Sequence, residues 1–205
     1  MKTTSVALRV LPKFFDVLRV FVILGFIAAV LSLPFNFFRS GYVEFKAPIY
    51  VAKQAIIAGV SAKNTDVKNI NITTIVPTLK ASLKVNFLIV IATCLYIASL
   101  CLTLYLQFKN LRDFFRSIKI GDPFNPKNVD RLRIISVTFL AISIIQIIKQ
   151  FVTNLFLANV LNNVHFSSLY WTAAIPGFIW AVVIYVVADV FKYGFTLKKE
   201  NEEFI

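Results

Sequence analysis

Long apolar runs, separated by polar stretches, dominate the pattern of this sequence. A helix needs about 20 mostly apolar residues to cross the hydrocarbon layer of a membrane. Four runs meet that length, at about residues 17–38, 85–108, 134–161 and 169–191. The pattern predicts an all-α membrane protein with four transmembrane helices, forming a single four-span domain over residues 1–205. An even number of spans places both termini on the same side of the membrane.

The polar stretch over residues 39–84 is long enough to form a small cap between the first two helices. Residues 42–46 and 69–73 alternate apolar and polar positions, which is typical of strands. Residues 49–62 are rich in Ala and Ile, which favours a short helix. We expect a two-stranded extracytoplasmic cap here, and we expect Pro34 to end the first helix.

The stretch over residues 109–133 carries an amphipathic pattern. Apolar residues and basic residues fall on different sides of a helical wheel over 107–120, which predicts an interfacial helix lying among anionic headgroups. Gly121-Asp122-Pro123 then interrupts the helix. Asn125 followed by Pro126 is typical of an N-cap and a first helical residue, so the next helix should begin there.

The distribution of Lys and Arg predicts the orientation. Fourteen lie before or at the start of the first span, in the 109–133 loop or in the tail over 192–205, against seven in the 39–84 loop. Because cytoplasmic loops carry the excess of basic residues, both termini and the 109–133 loop should be cytoplasmic.

Composition supports the membrane interpretation and narrows the function. The 205 residues are 58% hydrophobic and 16% charged, with a mean hydropathy of +0.76, whereas soluble domains have roughly 45–50% and 25%. The net charge of +12 is explained by orientation and the lipid bilayer, so we expect no direct contact with nucleic acid. Two cysteines in one span and one histidine indicate no disulfide, metal or cofactor. No catalytic motif is present, and we expect a protein that is not an enzyme.

Two polar features within the spans have alternative interpretations. Asp189, in the last turn of the fourth span, is either part of a proton or ion relay or one half of a structural ion pair, with Arg19 and Lys192 at about its depth. The third span carries a polar strip, either lining a pathway or belonging to a helix that extends beyond the membrane. The strip comprises Gln146, Lys149, Gln150 and Asn154.

Two stretches resemble a known family. The first is FRSIKIGDPF over residues 115–124, followed by Asn128 and by Leu-Arg-Ile over 132–134. The second is ADVFKYG over 188–194, followed by Leu197 and Glu-Asn over 200–201. Together they resemble the DUF2975 family, bacterial four-helix membrane proteins of unknown function. Asp189 stands where the family usually has Glu, and Glu-Glu-Phe over 202–204 replaces the usual Asp-Leu-Thr.

The resemblance implies a four-span protein of the bacterial inner membrane. Family members are often encoded beside a small helix-turn-helix regulator, which implies a regulatory or immunity-like role with such a regulator, or another cytoplasmic protein, as partner. A homo-oligomer is a second expected assembly. The alternative function is an oligomeric small channel or transporter subunit using the polar strip and Asp189, and a third is an assembly or lipid-interacting factor.

The motif residues predict one cytoplasmic surface, which we call the platform. We expect the turn at Gly121–Phe124 and the tail over 194–201 to pack together there and to receive the partner. We also expect Gly121 and Gly194 to adopt positive φ after helical segments. The platform residues are Gly121, Pro123, Phe124, Asn128, Arg133, Asp189, Gly194, Glu200 and Asn201.

Overall fold

Four long helices and a small sheet make up the part of the chain that the computed structural model describes. That part is residues 6–40, 42–48, 67–73, 78–84, 87–160 and 170–203, with side chains over 10–32, 88, 90–153, 155 and 174–203. The elements in chain order are α1 (Val6–Ser40), β1 (Tyr42–Pro48), β2 (Val67–Thr73), β3 (Thr78–Lys84), α2 (Phe87–Ile120), α3 (Pro126–Val160) and α4 (Tyr170–Glu203).

All four helices are long and apolar enough to cross a membrane, so the predicted four-helix membrane fold is confirmed. Each contains 34 or 35 residues, which corresponds to about 50 Å at 1.5 Å per residue. The hydrocarbon layer is only about 30 Å thick. The helices therefore continue beyond their apolar runs, and the basic segments after α2's span, before α3's span and after α4's span are all helical.

One helix boundary, and the surroundings of one helical segment, differ from the predictions. The first helix does not end at Pro34 but continues to Ser40, since a proline removes only one backbone donor and a membrane helix tolerates that loss. The segment over 107–120 is helical, as predicted, and continues α2 without interruption from Phe87 to Ile120. Its apolar side packs on protein, as described below.

The sheet has three antiparallel strands in the order β1-β3-β2. Both segments that we predicted to be strands are strands, but they do not pair with each other. Each pairs with β3, with Tyr42 opposite Lys84 and Thr73 opposite Thr78. The sheet therefore has one strand more than we predicted. The helix expected over 49–62 lies outside the described residues.

The chain divides into two compact units. One comprises Met1–Ile27, Ala98–Ile145 and Ala174–Ile205, and the other comprises Ala28–Ile97 and Gln146–Ala173 and holds the sheet. The first unit contains a buried apolar cluster at the basic ends of the helices. Its members are Phe114, Leu132, Ile135 and Ala188, with Leu111, Phe115, Ile118, Phe139, Ile184 and Phe191 packed around them.

Small residues allow α3 and α4 to approach closely within this unit. Ala174, Ala181 and Ala188 recur every seven residues along α4, and all three are buried. The Ser136 hydroxyl on α3 donates a 2.7 Å hydrogen bond to the Ala181 carbonyl on α4. Close contact between small residues, with hydroxyl groups bonding across it, is how helices associate in lipid. This contact fixes α4 against α3 and so positions the tail.

Candidate functional site

The turn between α2 and α3 has the geometry of a helix C-cap. Gly121 has a φ of 93°, as predicted, and its N–H donates to the Ile118 carbonyl at 3.0 Å. The Asp122 N–H donates to the Ser117 carbonyl at 3.3 Å. These two bonds define a Schellman motif, which requires a left-handed residue at the position of Gly121. The turn therefore has one well-defined conformation.

The start of α3 is capped as the sequence predicted. The Lys127 N–H donates to Asn125 Oδ1 at 2.9 Å, and α3 begins at Pro126. Asn125 also donates from Nδ2 to Asp122 Oδ2 at 2.8 Å. The cap thus joins the turn to the next helix.

Asn128 holds the turn together from inside. It is completely buried, and its Nδ2 lies 2.9 Å from the Pro123 carbonyl, 3.0 Å from Ser117 Oγ and 3.3 Å from the Asp122 carbonyl. Its Oδ1 accepts a 2.7 Å hydrogen bond from Arg131. A buried amide that is satisfied on both sides fixes its surroundings, because any rearrangement would leave polar groups unpaired.

The turn packs against α4 through Phe124. The Phe124 ring lies with its centroid 5.5 Å from that of Phe191. A Cβ placed on Gly194 would come within 2.6 Å of two Phe124 ring carbons, so the ring lies directly over the glycine. The prediction that Gly194 adopts positive φ is wrong, since Gly121 is the only positive-φ glycine among the described residues. Gly194 lies inside α4, and its missing side chain makes room for the ring.

An ion pair makes a second contact between the turn and α4. Lys198 Nζ lies 3.2 Å from Asp122 Oδ1. The hydrogen bond from Asn125, followed by that from Lys198, lowers the pKa of Asp122 below its ordinary value of 3.8. The carboxylate is therefore charged at neutral pH and available to both partners.

This arrangement predicts a pH dependence. Because the pKa of Asp122 is lowered by folding, its contribution to stability is complete above its ordinary value and is lost as pH falls through the lower value in the folded state. Wild type should melt above Asp122→Asn at pH 7, and the difference between the two melting temperatures should decrease as the pH falls below 3.8. Thermal unfolding in detergent at several pH values measures this. A difference that does not decrease in acid would contradict it.

Asp189 pairs with α3. Its Oδ1 lies 3.2 Å from an Arg133 guanidinium nitrogen, and the side chains are 52% and 39% exposed. Asp189 thus forms an ion pair, with Arg133 as its partner. This contact does not test the relay interpretation. Arg19 pairs elsewhere, and Lys192 forms no ion pair with a described residue.

The pair predicts a charge-swap result. Arg133→Glu would place two carboxylates side by side and should lower stability by about 1 kcal/mol, since exposed pairs contribute little. That loss corresponds to roughly 2–4 °C in melting temperature. The swap Arg133→Glu/Asp189→Arg should recover most of it in thermal unfolding, and Arg116→Glu controls for the charge change. If the swapped variant melts no higher than Arg133→Glu alone, the two residues are not coupled.

The remaining platform residues lie at the edges. Pro123 contributes its carbonyl to Asn128, and Glu200 and Asn201 are exposed on α4. The structure thus brings the turn and residues 191–198 of α4 together in one unit, with Glu200 and Asn201 further along the same helix.

One cluster was not predicted. Arg19 donates to the Tyr105 hydroxyl at 2.7 Å and pairs with Asp16 at 3.5 Å. Arg112 pairs with the same Asp16 at 2.8 Å. Beside them the Phe15 ring stacks on Phe108 and Phe115. These contacts join α1 to α2. The sequence pattern that could have predicted them is Asp16 near one end of the first span and Arg112 at a similar distance from the end of the second.

The polar strip lies on α3. Lys149 is exposed and its ammonium lies 5.1 Å from the centroid of the Tyr96 ring on α2. Gln146 and Gln150 are half-buried, and the side chain of Asn154 lies outside the described part. A cation over an aromatic face is stabilised by the ring quadrupole. Neither the pathway interpretation nor the helix-extension interpretation is tested by this contact.

No group of three or more metal-ligating side chains occurs among the described residues. A family model described as a protein of unknown function, DUF2975, matches residues 56–205. No curated protein and no solved structure matches the chain.

Proposed function

The chain belongs to the DUF2975 family of proteins of unknown function, and we propose that it is a regulatory or interaction protein, without enzymatic activity, of the bacterial inner membrane. In this proposal it binds a cytoplasmic protein, such as a helix-turn-helix regulator, through the platform. The observation that supports the proposal most is the seating of Phe124 on Gly194. That contact joins two segments far apart in the sequence into one surface outside the apolar runs.

The proposal needs both termini and the platform on the cytoplasmic side. The basic residues support that orientation, with fourteen on the platform side and seven in the 39–84 loop. On the cytoplasmic side the platform can reach a soluble partner.

Continuity of α4 provides the route from partner to membrane. The helix runs from Tyr170 through its apolar span to Glu203 without a break. It contacts the turn at Gly194 and Lys198 and packs on α3 at Ala181. A partner that moves the platform would therefore also move the span, and a change in the span would alter the platform.

The proposal is tested by affinity capture of the tagged protein from mild detergent, with mass spectrometry and native mass of the product. Gly194→Leu displaces the Phe124 ring, and Asp189→Asn removes the ion pair with Arg133. We expect a soluble partner on wild type that is lost with Gly194→Leu, weakened with Asp189→Asn, and retained with Gly25→Leu, whose position has no atom within 4 Å of an added Cβ.

A different result would favour the channel or transporter function. That result is a homo-oligomer without a soluble partner, unchanged by Gly194→Leu, together with ion flux in liposomes that Lys149→Met abolishes.

A further inference from the structure

The part of α2 that follows its apolar run has one strongly basic side. Lys109, Arg116 and Lys119 are exposed there, and at 100° per residue they fall within about 80° of one another around the helix axis. Ile120, on the same side, is 76% exposed. We call these four residues the basic face.

The charges of the basic face have no partners within the described part of the chain. None of its three cations forms an ion pair there, whereas Arg112 on the same helix pairs with Asp16 and with Asp113. Asp113 lies on the same side of α2, about 40° from Lys109 around the helix axis, and its carboxylate is engaged by Arg112 at 3.5 Å. Lys119 lies in the last turn, where the helix dipole favours a cation. Lys109 follows the end of the apolar run, where a lysine is common, whereas Arg116 has neither reason.

The height of the basic face favours a soluble partner over lipid headgroups. The apolar run of α2 ends just before Lys109. Arg116 lies about 10 Å and Lys119 about 15 Å further along the helix at 1.5 Å per residue. The headgroup region adds only about 5–8 Å to each side of the hydrocarbon layer. A helix with an ordinary tilt thus carries Arg116 and Lys119 beyond the headgroups. Lys109 begins at the headgroup level, and its long side chain extends the ammonium outward, toward the other two cations.

The apolar side of the same segment cannot lie on the membrane. Phe114 is buried in the cluster with Leu132, Ile135 and Ala188, and Ile118 packs against it. An interfacial helix inserts its apolar side into lipid, but here that side is covered by α3 and α4. The helix that carries the basic face is therefore fixed by its packing on α3 and α4. Because this helix is already ordered, binding a partner costs less conformational entropy.

From these observations we infer that the basic face binds an acidic segment of the soluble partner, carboxylates meeting Lys109, Arg116 and Lys119 and an apolar side chain covering Ile120. The inference rests on the proposed function and adds the chemistry of the partner. Charge complementarity of this kind raises the association rate and the specificity more than the affinity.

The test uses a fluorescein-labelled peptide of Glu and Leu residues and the full protein in phosphatidylcholine nanodiscs, with binding measured by anisotropy. We expect Lys109→Gln/Arg116→Gln to weaken binding at least tenfold. The control Lys192→Gln/Lys199→Gln loses the same charge on α4 and should change binding less than threefold. Equal weakening in both variants, or in neither, would overturn the inference.

Two further experiments distinguish partner binding from membrane binding, and the basic face from the platform. In nanodiscs containing phosphatidylglycerol, a fluorophore on Arg116→Cys should escape a headgroup quencher, and strong quenching would assign the face to the membrane and overturn the inference. In the capture experiment, a partner lost with Gly194→Leu but retained with Lys109→Gln/Arg116→Gln would leave the proposed function standing and reject the basic face.

Discussion

Asn128→Leu is expected to destabilise the protein by about 2–4 kcal/mol. At least two polar groups lose their bond to the asparagine, and each buried polar group without a partner costs about 1–3 kcal/mol. Leucine has a similar size but cannot donate to the Pro123 carbonyl or accept from Arg131. The melting temperature in detergent should fall by on the order of 10 °C. Asn128→Asp should also destabilise the protein, because it loses the donor to the Pro123 carbonyl, although it retains an acceptor for Arg131.

Asn110→Leu is the matched control for this result. Asn110 is also an asparagine of the same region, but within the described part of the chain its Nδ2 donates only to the Leu106 carbonyl, one turn earlier in α2. That substitution should change stability by less than about 0.5 kcal/mol. Equal losses for Asn110→Leu and Asn128→Leu would contradict the role of Asn128 in holding the turn.

Gly177→Leu is expected to prevent α3 and α4 from packing. A Cβ on Gly177 would overlap Ser143 Oγ and lie 3.3 Å from the Phe139 carbonyl, and Ser143 is buried. Overpacking a tight contact costs about 1–3 kcal/mol and sometimes more. Because leucine adds three further carbons here, we expect the upper end of that range or loss of the folded protein, measured by thermal unfolding and by yield in detergent.

If Gly177→Leu does not fold, a control and a milder substitution still test the prediction. Gly25→Leu changes the same residue type in α1, where an added Cβ meets no atom within 4 Å, and it should be tolerated. Gly177→Ala should destabilise, and Gly177→Ala/Ser143→Ala should recover most of the loss because it removes the overlapping oxygen. A double variant no more stable than Gly177→Ala would place the cause elsewhere.

The helices and the turn could be predicted because their signals are local. The length of an apolar run determines whether a helix can cross a membrane. Gly121 after an amphipathic run and Asn125 before Pro126 each determine a helix end through their own backbone bonds.

Other features depend on contacts between distant segments and could not be read locally. The pattern over 107–120 is the same whether its apolar side meets lipid or protein, and here it meets Leu132 and Ala188. A glycine near a helix end fits either a left-handed break or a close approach, and Gly194 is the second. Asp189 had several candidate cations, Arg133 of the platform among them, and the packing of α3 and α4 determines that Arg133 is the partner.

The third strand shows a signal that was present but too weak. Residues 78–84 alternate Leu79, Ala81 and Leu83 with polar positions, which fits a strand with one apolar side. Two lysines among seven residues made the pattern similar to a polar linker. Pairing with both β1 and β2 compensates for this low propensity.

We propose that the platform faces the cytoplasm, and labelling of single cysteines with a membrane-impermeant maleimide in intact cells tests this orientation most directly. In a Cys94→Ala/Cys101→Ala background, Lys46→Cys on β1 should react in intact cells. Lys119→Cys and Glu200→Cys should react only after the membrane is permeabilised. The reverse pattern, with Lys119→Cys and Glu200→Cys labelled from outside, would contradict the orientation and with it the proposed partner binding.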